Sequence, residues 1–152
     1  MAAMCSICDG QTYDALHRHT AQLIDEGGWR LLAVGGWKPW TYTIGLAERG
    51  HPELVAVGPP QATGRLLDEA AALAMDGRPL SEGSALTVLD QSVQVGAVHP
   101  RHIERGLVAG WFDYYVWAGR RPALKVLELV RAAGSRASSQ RTLSSSTNLL
   151  RL

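Results

Sequence analysis

The sequence predicts a single small α+β domain: a mostly antiparallel sheet of about five strands packed against two or three helices. Three observations predict it. The 152 residues are 46% hydrophobic and 19% charged, an ordinary globular balance with length for one core. Two stretches carry apolar residues at helical spacing. Between and after them lie short runs rich in β-branched and aromatic residues, bounded by glycine and proline.

The first helix is expected over roughly residues 12–26. Tyr13, Leu16, Leu23 and Ile24 recur near helical spacing, with Thr20 on the same side. Asp9 or Thr12 can cap its start, and Gly27-Gly28 ends it. Strands follow at Trp29–Val34, Thr41–Leu46 and Glu53–Val57. Gly35-Gly36 and Lys38-Pro39 punctuate the first connection, and Gly50-His51-Pro52 the second. Gly58-Pro59-Pro60 opens a second helix, because proline suits the first helical turn. That helix runs to about Met75, with Leu66, Leu67, Ala70, Ala71 and Ala74 as its buried stripe.

Leu80–Gly83 reads as a loop. Ala85–Leu89 and Ser92–Val98 read as alternating, half-buried strands joined at Asp90-Gln91. Residues 100–117 are expected to be helical, and Ala123–Val130 a last strand or short helix. Serines among scattered arginines begin at Arg131, without an apolar face until Leu149-Leu150. This divides the chain into a domain at 1–130 and a Ser/Arg-rich, mobile tail at 131–152.

Charge and composition narrow the function. Residues 1–118 hold 8 Lys/Arg against 13 Asp/Glu, a net of −5, and residues 119–152 hold 7 Lys/Arg against Glu128, a net of +6. No uncharged apolar run approaches the ~20 residues that span a bilayer, so no membrane partner is expected. Residues 1–10 have neither the basic nor the apolar region of a secretory signal. Cys5 and Cys8, the two cysteines, are too close together to make a useful disulfide framework. The expected compartment is the cytoplasm, with both thiols reduced. No GxxxxGK[ST] or GxGxxG loop is present, and Ser84 after Glu82-Gly83 lacks the second glycine of a nucleophile elbow. The aromatic run Trp111–Trp117 beside Arg120-Arg121 could stack on bases, but the acidic body argues against a nucleic-acid partner.

Three stretches carry a family resemblance. Cys5-Ser-Ile-Cys8-Asp9 precedes a helix ending in Glu26-Gly27-Gly28-Trp29. Next comes Pro39-Trp40-Thr41-Tyr42-Thr43-Ile44-Gly45-Leu46, then His51-Pro52-Glu53-Leu54 running to Val57-Gly58. In order and spacing the chain resembles the bacterial family called domain of unknown function 4262, over roughly residues 4–130. The resemblance implies a small α+β domain with no assigned activity. It stops at the C-terminus, where family members continue after Ala123-Leu124 into a Trp- and Asp-containing strand and a Phe-Pro-Trp end. Here Lys125–Val130 leads into the Ser/Arg-rich tail, through divergence or an altered reading frame.

Trp40, Tyr42, Thr43, Gly45, His51 and Glu53 form the densest set of unusual residues. Along a strand, Trp40, Tyr42 and Ile44 face one side and Thr41, Thr43 and Gly45 the other. If the strand of Glu53 pairs with this one, an aromatic wall, a carboxylate and a histidine can meet. Trp40, Tyr42, Thr43, His51 and Glu53 are therefore the candidate ligand-binding residues, for a small molecule or a protein partner. Core packing explains the same aromatics equally well, and Gly45 can mark a bulge.

Cys5-x-x-Cys8 has the bite of half a zinc site. His99 and His102, at i and i+3, would supply two imidazoles from one helical face, with His51 and Asp9 as substitutes. A redox role is disfavoured because no strand precedes the cysteines. Acid–base chemistry would draw on Glu53, Asp113, His51, His99 and His102. The expected function is a binding or accessory domain with a small pocket near the PWTYTIGL and HPEL segments. The alternative is a small zinc enzyme built on Cys5, Cys8 and histidines.

Overall fold

A computed structural model describes residues 12–132. The first helix, α1, covers Tyr13–Gly27. The Thr12 hydroxyl accepts from the Ala15 amide at its start, and Gly28, at φ +93°, closes it in the left-handed conformation that glycine tolerates. Its buried stripe is His17, Thr20 and Ile24, whereas Tyr13 is 61% exposed. The spacing of large apolar residues therefore pointed slightly off the face that packs.

Strands β1 (Arg30–Val34), β2 (Trp40–Ile44) and β3 (Glu53–Val57) form an antiparallel meander. Strand β2 stops two residues before its expected end, because Gly45 turns at φ +118° into a short 3-10 helix, Leu46–Arg49. A Cβ at Gly45 would lie 2.8 Å from an Ile24 methylene and 2.9 Å from the Gly28 carbonyl oxygen, so the turn also needs glycine for space.

Helix α2 (Pro60–Met75) begins with proline in its first turn and buries Leu66, Leu67, Ala70, Ala71 and Ala74, as its periodicity predicts. Strands β4 (Ala85–Val88) and β5 (Gln91–Ala97) pair antiparallel through a two-residue turn in which Leu89 and Asp90 both have positive φ. The expected single helix over 100–117 is two: α3 (Pro100–Glu104) and α4 (Ala109–Ala118). Gly106, at φ +97°, separates them. The segment expected from Ala123 is the strand β6 (Val126–Arg131), which takes in the first residue assigned to the tail. The rest of that expected tail, from residue 133, lies outside the described residues.

The sheet has six strands, one more than expected, in the order β1-β2-β3-β6-β5-β4. Only the central pair β3–β6 is parallel. One face packs on α2: Leu54, Ala56, Leu127, Leu129, Val93 and Val95 meet Leu66, Leu67, Ala70 and Ala71. The other packs on α1 and α4: Tyr42, Ile44, Val55 and Val126 meet Ile24, Trp111, Tyr114 and Tyr115. Alternation along each strand feeds both cores, since successive side chains point to opposite faces. No described helix is long and apolar enough to cross a membrane.

Candidate functional site

Glu53 opens β3 and is fully buried. Its carboxylate is the hub of a polar network. Oε1 accepts the Thr43 hydroxyl at 2.8 Å and the Leu46 amide at 3.1 Å. Oε2 accepts the amides of Gly45 at 3.0 Å and Ala47 at 3.3 Å, and the Trp111 indole N–H at 2.8 Å. Thr43 passes the chain on by accepting the Leu54 amide at 2.9 Å.

The 3-10 helix has no side-chain cap of its own, so its leading amides would be orphans without Glu53. Four of the five partners are N–H groups that can only donate, so the geometry suits the ionised carboxylate. Burial nonetheless pushes the Glu53 carboxyl above its usual value, against the pull of Thr43, Gly45, Trp111 and Ala47.

Trp40 and Tyr42 serve α4. The Tyr42 hydroxyl accepts the Gly110 amide at 2.9 Å, and α4 has no capping side chain beside it in sequence, so this phenol from β2 caps the helix remotely. Tyr42 is buried, and burial pushes its phenol well above the usual range. Trp40, half-buried, donates its indole N–H to the Leu107 carbonyl at 3.0 Å, just upstream. Trp40, Tyr42, Thr43 and Glu53 are thus brought together, as an internal clamp on the start of α4 and the 3-10 turn.

His51 lies at the edge of this network, half-buried, with its backbone N–H on the Leu46 carbonyl. His99 accepts the Arg101 amide through Nδ1 and so caps α3. In His102, Nε2 is buried without a hydrogen-bond partner, and burial holds the imidazole below its usual pKa. Cys5 and Cys8 lie outside the described residues. Among the described residues no group of three or more His, Cys, Asp or Glu is placed to hold a metal ion.

The clamp connects outward. Glu48, on the 3-10 helix, accepts the Tyr115 hydroxyl at 2.8 Å and pairs with Arg120 at 2.7 Å. Burial first, then the hydrogen bond and charge of Glu48, drive the Tyr115 phenol far above its usual range. Tyr115 also floors a groove of about 340 Å³ with Phe112, Val116, Gly119, Arg120 and Arg121. That Glu48 joins the aromatic run Trp111–Trp117 to the 3-10 turn is not legible in the sequence, because no local pattern pairs residues 67 and 72 positions apart.

A more enclosed cavity lies where β3 and β6 end against the first turn of α2, but it holds only about 60 Å³, room for water rather than a ligand. Two larger hollows of about 480 and 450 Å³ flank the β4–β5 hairpin, away from the clamp. None of these four spaces is lined by Trp40, Tyr42, Thr43, His51 or Glu53.

The model of a family described as a domain of unknown function, DUF4262, matches residues 23–133. The chain belongs to the DUF4262 family. The DUF4262 match takes in the whole clamp and the groove, and leaves Cys5-x-x-Cys8 outside it. No curated protein and no solved structure matches the chain significantly.

Proposed function

We propose that this DUF4262 protein is a cytoplasmic, non-enzymatic binding or accessory domain whose ligand seats in the groove along α4. The observation that carries the reading is the Glu48 bridge. One carboxylate ties the 3-10 turn, itself capped by Glu53, to Tyr115 and Arg120 in the groove wall. The PWTYTIGL and HPEL residues then build the scaffold for a binding surface instead of contacting the ligand. A role without catalysis is supported by Glu53, whose oxygens are occupied by five donors and which has no exposure. Such a group cannot reach a substrate proton without dismantling the fold.

Fragment binding followed by amide chemical shifts tests the reading. Shifts should cluster on Phe112, Val116, Gly119 and Arg121. Clustering around Leu73, Arg78 and Leu86, which line the larger hollow, would place the site there and end this reading.

A further inference from the structure

We propose that the groove takes an anion with an apolar body, a monocarboxylate bearing an aromatic or branched aliphatic group. This rests on the binding reading above and adds the ligand class.

The two arginines of the groove differ. Arg120 donates through Nε and Nη2 to Glu48 at 3.2 and 2.7 Å, so its charge is neutralised. Arg121 makes no ion pair or hydrogen bond among the described residues, and its guanidinium carbon lies 4.7 Å from the centre of the Phe112 ring. A guanidinium stacked on a ring keeps its N–H edge outward, in the plane where a carboxylate is met by two parallel hydrogen bonds.

The rest of the groove is apolar. The Tyr115 hydroxyl is spent on Glu48, which leaves the ring as floor. Val116 is 83% exposed and offers apolar surface at the edge of the groove. The Gly119 amide engages two of the four C-terminal carbonyls of α4, those of Tyr115 and Val116, at 3.1 and 3.3 Å, which lessens the repulsion an anion would meet there. Counting Arg120 and Arg121 against Glu48 leaves the groove with a net charge of +1, on a body that is otherwise acidic. At about 340 Å³ it accommodates one ring-sized group.

The experiment titrates the full-length protein with 3-phenylpropionate, its neutral amide 3-phenylpropanamide, and acetate, following backbone amides by NMR. The acid should move Phe112, Val116, Gly119 and Arg121 saturably. The neutral amide and acetate should each bind about tenfold more weakly or worse. Arg121→Gln, an exposed change that should leave the melting temperature alone, should reduce the acid to the level of the neutral amide. Phe112→Leu, which removes the ring under the guanidinium, should weaken the acid more than the neutral amide. Equal binding of acid and neutral amide, or an unaffected Arg121→Gln, overturns the anionic class while the groove stands as a site. Equal binding of acetate overturns the apolar body. If neither phenyl probe moves the groove amides, the groove itself is refuted.

Discussion

The Glu53 carboxylate accepts the indole N–H of Trp111 at 2.8 Å, across 58 residues of sequence. One bond joins the first residue of β3 to the first turn of α4, and the same oxygen holds the Gly45 and Ala47 amides. The start of the helix and the turn after β2 are therefore set by one buried group.

Replacing Glu53 by Ala should destabilise the fold by at least ~3 kcal/mol, since it orphans four buried N–H donors. Glu53→Gln keeps the shape but turns an NH2 toward those donors, and should cost about as much. Trp111→Phe removes one donor and some ring area, and should cost less, roughly 1–3 kcal/mol. Urea unfolding midpoints measure all three. A Glu53→Gln protein as stable as the parent would show that the network is incidental.

Gly110→Ala should also destabilise, although alanine is the better helix former by ~1 kcal/mol. A Cβ there would meet Leu32 Cδ2 at 2.5 Å and the Tyr42 hydroxyl oxygen at 2.6 Å. Overpacking of this kind costs roughly 1–3 kcal/mol. Double-mutant cycles of Gly110→Ala with Tyr42→Phe and with Leu32→Ala should show coupling, because each removes one of the two clashes. Additive effects would mean that the helix simply slides away.

Acid should loosen the contact between α1 and α4. His17 is 8% exposed, its ring stacked 5.5 Å from Trp117 and tilted against Tyr114 at 6.0 Å. Burial holds its pKa below the ordinary imidazole value of 6.5, with Asp113 and Asp14 pulling up and Arg30 down. The unfolded chain then binds the proton more readily than the folded one. The stabilisation is complete above pH 6.5 and is lost as pH falls toward and through the folded pKa. His102 is shifted the same way, so His17→Phe should shrink the acid-induced drop in melting temperature without abolishing it. An unchanged drop would exclude His17 as a source.

Glu48→Gln should cost little, about 1 kcal/mol or less, because Arg120 is half in solvent and screened. The variant keeps an acceptor for Tyr115 and frees Arg120. It should therefore bind 3-phenylpropionate no more weakly than the parent, which titration calorimetry would measure. Weaker binding would mean that the groove depends on the pinned arrangement more than on charge.

Local pattern alone determined the fold class, both long helices, the segments that form β1, β2 and β3, and the β4–β5 hairpin. Helical spacing, glycine stops and proline starts act between residues a few positions apart, so they can be read directly, as with Gly77 after α2 and Pro60 at its start. Tertiary structure decided what the unusual residues do. Trp40, Tyr42, Thr43 and Glu53 read equally well as a pocket or as core, and the difference lies in Gly110, Trp111 and Leu107, some 58 to 68 positions away. The same holds for His17, which lies between the spacings used to find the face of α1 yet is buried by rings from α4. The physical reason is common to both. A polar or aromatic side chain has several acceptable fates, and its partner across the fold selects one. An aliphatic side chain at regular spacing has only burial, and its fate is written locally.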